Sequence, residues 1–230
     1  MDSVTIATFD GNPKEMFVHS SQGDYISEVI KFTKMYYEIQ LLVFLKNEFP
    51  VQQTVVDIGA NIGNHSKFFW EEMKVPAIVA FEPVVTNAKL FRANNPCEKI
   101  VLHQIALSSE KTVRTLYNTG EGSFGGFSFN REPHSYVVST EIPTATLDSF
   151  ELKGVTLIKI DVENHENSVL EGAKNTILLN KPVIVLENSY YHFPNNFPIP
   201  EPHSHFMQSV KYVKIHSNVK NTGMDVWKSL

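Results

Sequence analysis

VVDIGANIGNHS, residues 55–66, decides how the rest of this chain is read. Val55, Val56 and Ile58 are β-branched, as suits a parallel strand buried on both faces. Gly59, Ala60 and Gly63 then make a tight turn of small residues, after which a helical pattern begins. In open α/β sheets, a strand passing through such a turn into a helix N-terminus offers backbone amides to a nucleotide-sized ligand. The turn is therefore expected to hold a cofactor.

Working outward, residues 77–82, 100–105, 155–160 and 183–186 read as further strands. Helical spacing over 64–73, 86–93 and 167–179 fills the gaps between them. In the last of these, Val169, Leu170, Ala173, Ile177 and Leu178 are expected to face inward. Weaker strand patterns at 112–117 and 136–142 surround the glycine-rich residues 120–128. Upstream, 4–9 and 16–19 read as a hairpin around Asp10-Gly11-Asn12-Pro13, and Ser27 reads as a helix N-cap. Residues 38–49 follow as a helix that Pro50 ends. Downstream, 188–202 is too rich in proline for a helix or central strand, and 211–216 with 225–228 alternate like an antiparallel pair. The class is α/β: a doubly wound, mostly parallel sheet with a C-terminal antiparallel strand pair. Residues 1–50 are expected to pack as a hairpin-and-helix extension on a domain spanning 51–230, the whole forming one compact unit.

Composition narrows the functional classes. A net charge of −5 supplies no basic field, so no nucleic-acid partner is expected. Cys97 is the only cysteine, so no internal disulfide forms, which suits a reducing compartment. The opening MDSVTIATFDGNPKE lacks the pattern of a signal peptide, and the apolar runs are strand-sized. A cytoplasmic protein without membrane contact is the expectation.

Four strands end at or beside a carboxylate: Asp57, Glu82, Asp161 and Glu187. Ligands in such sheets sit beyond the carboxyl ends of the strands, so these acids should share one rim. A dinucleotide turn wants three glycines around a pyrophosphate. Here Asn61 replaces the middle glycine, and Asp57 precedes the turn where it would repel a diphosphate. S-adenosylmethionine, with an ammonium and a sulfonium, suits that acid better than NAD. Glu82 is placed for the ribose hydroxyls of either cofactor, so an NAD-dependent oxidoreductase stays open as the alternative.

A series of motifs then carries a resemblance. Tyr37-Glu38, VVDIGANIG (55–63), AFEP (80–83), IALSS (105–109), TLDSF (146–150), LIKIDVENHENSVLEGA (157–173) and PVIVLE (182–187) occur in order. Together they resemble the FkbM family of methyltransferases over residues 37–187. Asn164 departs from the family's usual glycine. The resemblance implies a Rossmann-like class I fold, S-adenosylmethionine as donor, and O-methylation of a small or polymeric acceptor, most simply a sugar or glycan. A macrolide-like acceptor, an amine or a nucleic acid remain alternatives. It also implies that Glu38 receives the donor's ammonium and that Asp161 lies at the active centre.

The expected cofactor residues are thus Glu38, Asp57, Gly59, Asn61, Gly63, Glu82, Ala106, Leu107 and Asp161, with Ala106 and Leu107 beside the adenine. The expected catalytic residues are Asp161, His165 and Glu187. His165 is a candidate base because imidazole titrates near neutrality. Glu163, Tyr190 and Tyr191 are expected to meet the acceptor, the two tyrosines from an aromatic lid that includes Phe193 and Phe197. If Mg²⁺ or Mn²⁺ takes part, Asp161 and Glu187 would hold it. Each has a duller reading: Glu163 sits ahead of a helix whose N-terminus acids stabilise anyway.

Overall fold

The computed structural model describes residues 1–49, 53–118, 126–129, 139–188, 191 and 203–230. The chain opens with an antiparallel hairpin, β1 (Asp2–Ile6) and β2 (Lys14–Val18), then helices α1 (Tyr25–Thr33) and α2 (Ile39–Glu48). The alternating part follows as β3 (Thr54–Ile58), α3 (Asn64–Glu71), β4 (Ala77–Phe81), α4 (Val85–Asn94) and β5 (Ile100–His103). Four strands then form a small separate sheet: β6 (Ala106–Leu107), β7 (Val113–Asn118), β8 (Phe127–Ser128) and β9 (Ser139–Ala145). The chain returns through β10 (Val155–Ile160), α5 (Glu166–Gly172), α6 (Lys174–Asn180) and β11 (Val183–Glu187). It closes with α7 (Ser204–Ser209), β12 (Tyr212–His216) and β13 (Met224–Ser229).

The main sheet has the order β12-β13-β11-β10-β3-β4-β5. β11, β10, β3, β4 and β5 run parallel, and β13 is antiparallel to both β11 and β12. The C-terminal pair is therefore part of the main sheet. β3 lies at the centre because Val55, Val56 and Ile58 all find cover, each at most 1% exposed. Val55 joins Phe68, Phe69 and Phe91 on one face, together with Leu41, Leu42 and Leu45 of α2. Val56 and Ile58 join Val169, Leu170 and Ile177 on the other.

The N-terminal elements share the first of these cores through Ile6, Met16 and Val18. One amide fixes the hairpin to the parallel part. Asn94 accepts from Phe17 N at 2.6 Å, donates back to Phe17 O at 2.9 Å and also reaches Ile62 O at 2.8 Å. Among the described residues no helix is long and apolar enough to cross a membrane.

Two local expectations are corrected. The helix read over 167–179 is two helices, broken at Ala173, whose φ and ψ are −109° and 2°. The cause is distant in sequence: the Asp148 carboxylate accepts from Asn175 N at 3.0 Å and Thr176 N at 2.7 Å, capping a fresh helix start. The break leaves Leu178 47% exposed, while Val169, Leu170, Ala173 and Ile177 are fully buried. At α1 the N-cap is Asp24, whose carboxylate accepts from Ser27 N. Ser27 instead accepts from His19 N at 3.1 Å.

Candidate active site

The turn after β3 is built so that two strand ends almost touch. Gly59 has φ +74°, and a Cβ there would lie 1.8 Å from the carbonyl oxygen of Asp161. Only glycine fits such an approach at positive φ. Gly59 N and Ala60 N both donate to Phe81 O at 3.0 Å. Gly63 has φ +80°, and a Cβ there would strike the Asn95 amide at 2.2 Å. Asn61 also takes a positive φ of 50°, a conformation asparagine tolerates better than most residues.

Glu82, just beyond β4, is held in a fixed orientation. One carboxylate oxygen accepts from Asn61 N at 2.9 Å; the other accepts from Val84 N at 2.9 Å and the Asn87 amide at 3.3 Å. Burial pushes its pKa up to about 7, against the pull of those three hydrogen bonds. The turn and Glu82 are thus one bonded unit.

Lys159 is the charged residue that patterning passed over. It faces Asp57 across the β10–β3 ladder and is only 3% exposed. Its Nζ donates to Gly59 O at 3.0 Å and lies 3.2 Å from Asp161 and 3.7 Å from Asp57. Burial favours loss of its proton, but Asp161 and Asp57 outweigh that and raise its pKa. Asp57 is fully buried, accepts from Ser66 Oγ at 2.7 Å, and stands behind the cavity wall. The signal in the sequence was one lysine in the otherwise apolar strand VTLIKI.

Acids crowd the rim beyond β10 and β11. Asp161 is partly open, with a side chain 28% exposed. Burial, then the charge of Asp161 and of Glu166, pushes Glu163 up to about 8. Glu166 is pushed by burial to about 7 and accepts from Val162 N at 3.1 Å. Glu187 is raised well above an ordinary carboxyl by burial and by Asp161, and its Oε2 makes no hydrogen bond among the described residues. The loop between them turns through Glu163 at φ 54° and Asn164 at φ 71°. The left-handed conformation at Asn164 explains how asparagine stands where glycine is usual.

His165 is 7% exposed, with Nε2 3.0 Å from Ser108 Oγ and 3.4 Å from Arg114. Burial first, then Arg114, pushes it down to about 4, so the imidazole is neutral at neutral pH.

Above the turn lies a cavity of about 300 Å³, at the small end of the range for ligand sites. Its walls include Glu38, Gly59, Asn61, Glu82, Ala106, Leu107, Asp161, Glu163, His165 and Glu187. Lys159, Asn64, His65 and Asn87, none of them singled out from sequence, line it as well. The N-terminal extension supplies Tyr25, Ile26 and Tyr37, the small sheet supplies Leu116 and Phe127, and Phe129 follows from just after β8. Gly63 supports the turn from below, against Phe91 and Asn95. Tyr191 lies off the cavity wall, its phenol against Asp225. Tyr190, Phe193 and Phe197 fall outside the described residues.

S-adenosylmethionine fits this donor set on two observations. The Glu38 carboxylate, paired with His65 Nε2 at 3.2 Å, lines the cavity and suits an ammonium. Glu82 is pre-set for hydroxyl donors. A metal is less well served: among the described residues, no three His, Cys, Asp or Glu side chains group to hold one.

A model of the FkbM methyltransferase domain matches residues 57–214. Among solved structures, the FkbM methyltransferase of Methylobacillus flagellatus KT aligns with a TM-score of 0.52 at 18% identity. The alignment covers 76% of this chain and 43% of that one, so this chain spans less than half of that protein's length. A putative methyltransferase of Escherichia coli, yhhF, aligns with a TM-score of 0.50 at 10% identity, covering 99% and 98% of the two chains. At such identities the likeness is one of fold. No curated protein matches the sequence.

Proposed function

Because this chain belongs to the FkbM methyltransferase family, we propose that it moves a methyl group from S-adenosylmethionine to a hydroxyl oxygen of a sugar or glycan. Its sheet is that of a Rossmann-like class I methyltransferase. One observation carries the proposal: a single cavity has the ribose-site acid Glu82, the buried acid Glu38 and the more open acid Asp161 on its walls.

When bound, S-adenosylmethionine supplies an electrophilic methyl group. Glu82 takes the ribose hydroxyls in the orientation that Asn61 N and Val84 N impose. Asp161, pinned at Oδ2 by Lys159, takes the proton of the acceptor hydroxyl. We assign that proton to Asp161 over His165, whose Nε2 already faces Ser108 and Arg114. For the acceptor, the half-buried rings of Phe127 and Phe129 share the cavity with Glu163 and Glu187. Aromatic faces beside carboxyl groups suit a ring that is apolar on its faces and hydroxylated at its edge.

The test is incubation with methyl-labelled S-adenosylmethionine and a panel of saccharides. Label should appear on a sugar hydroxyl, and Asp161→Asn should lower turnover by about 10²–10⁴-fold. Label on amines or nucleic acid alone would overturn the acceptor; wild-type turnover in Asp161→Asn would remove it as the base.

A further inference from the structure

The N-terminal hairpin reaches the donor cavity through a buried contact that the proposed chemistry does not use. β2 ends at Val18, and the next residue, His19, is clamped along its backbone by α1. His19 N donates to Ser27 Oγ at 3.1 Å, and His19 O accepts from Lys31 Nζ at 2.8 Å. Ser27 and Lys31 are four residues apart, on one face of that helix. The imidazole is directed at α4, where Nε2 lies 2.9 Å from Asn87 Oδ1. Asn87 in turn donates from Nδ2 to Glu82 Oε1 at 3.3 Å. His19, Asn87 and Glu82 are only 7%, 2% and 4% exposed, so both bonds are made almost out of reach of water.

The polarity of this relay is set from the carboxylate end. Ionised Glu82 only accepts, so the Asn87 amide turns Nδ2 to it and Oδ1 to His19. Oδ1 also only accepts, which makes His19 Nε2 the donor and fixes the tautomer with the proton there. Burial pushes the His19 pKa down, so the ring enters the relay neutral. Anchoring the hairpin does not account for these residues, because Asn94, two turns further along α4, already bonds Phe17 at both its N–H and its carbonyl. Asn87 differs from Asn94 in lying on the cavity wall, and His19 stands behind it.

We propose that His19 is a positioning residue of the donor site. Through Asn87 it holds the plane of the Glu82 carboxylate in which the ribose hydroxyls are taken. A buried polar relay whose members are all satisfied rigidifies the group at its end. Without His19, Asn87 is free to turn, and Glu82 is left with the backbone donors Asn61 N and Val84 N. The proposal rests on the donor reading above and extends it to a residue outside the matched stretch 57–214.

The test reads the ribose end alone. S-adenosylhomocysteine and its 2′,3′-dideoxy analogue are titrated above the value of about 7 at which Glu82 ionises. The wild type should prefer the ribose form at least about tenfold. His19→Leu should cut that preference about threefold or more, with the dideoxy form still bound within about twofold of wild type. His19→Gln, whose amide places an N–H near the lost Nε2, should keep the preference. Asn87→Val should behave as His19→Leu does, and the double variant should lose no more than either alone, which keeps the test open if one variant folds poorly. Asn94→Ala loosens the hairpin without touching the relay, so it should lower the melting temperature and leave the preference intact. A preference untouched in His19→Leu, a loss shared equally by both probes, or the same loss in Asn94→Ala overturns the positioning role. A wild-type protein that binds neither probe, or both alike, overturns the donor reading instead.

Discussion

Lys159 ties the turn after β3 to Asp161: one ammonium meets Gly59 O, Asp57 and Asp161. Removing one partner of a buried charge set leaves the others uncompensated, at a cost of about 3–5 kcal/mol. Lys159→Met should therefore lower stability by about 3 kcal/mol in denaturant titration. Adding Asp57→Asn should recover part of that loss, because the two residues share one interaction. Strictly additive losses would show that they do not. Single acids at strand ends were legible in the sequence because nothing in an apolar strand explains a carboxylate. Other residues of the site were not: Lys159 appeared as one odd letter, and His65 and Asn64 as an ordinary helix start.

At the scale of elements, α5 is seated directly against backbone. A Cβ on Gly172 would lie 2.0 Å from Ser108 O, so the end of α5 rests directly on the backbone after β6. Gly172→Ala should destabilise the protein by about 1–3 kcal/mol through overpacking, measured as a shift of the unfolding midpoint at unchanged m-value. An unchanged midpoint would mean that the contact yields freely. β3 and β10 were legible to the residue because their β-branched runs are buried on both faces. The α5–α6 break was not, since Asp148 supplies the cap from a different part of the chain and the apolar spacing runs on through it. The lid expected from Tyr190, Phe193 and Phe197 lies outside the described residues, and Tyr191 turns to Asp225 rather than to the cavity wall.

For the whole molecule, the acid-rich site makes stability depend on pH. Glu82, Glu163 and Glu166 keep their protons up to about 7, 8 and 7, above the ordinary 4.5. The native chain then binds more protons than the unfolded one, and stability falls as pH rises through that interval. His165 and His203, pushed from 6.5 to about 4, work in the opposite direction, chiefly below 6.5. The histidine contribution fades between 6.5 and about pH 7.5, so towards pH 8 the glutamates dominate and the melting temperature should drop. A flat or rising profile there would contradict the burial of these acids.

The parallel order of the central strands followed from their alternation with helices. The seating of the C-terminal pair inside the main sheet, and the tying of the hairpin to Ile62 through Asn94, depend on contacts between distant residues that no local pattern records. That assembly matters for function because it brings Glu38, Glu82 and Asp161 to one cavity. The most direct test of the donor site is a calorimetric titration of S-adenosylhomocysteine into the wild-type protein and into Glu82→Ala. The account predicts one site per chain in the wild type, and an affinity at least about tenfold weaker in the variant, where charge-assisted hydrogen bonds to the ribose are lost. Equal affinity in the two, or a wild-type protein that binds NAD and not S-adenosylhomocysteine, would contradict it.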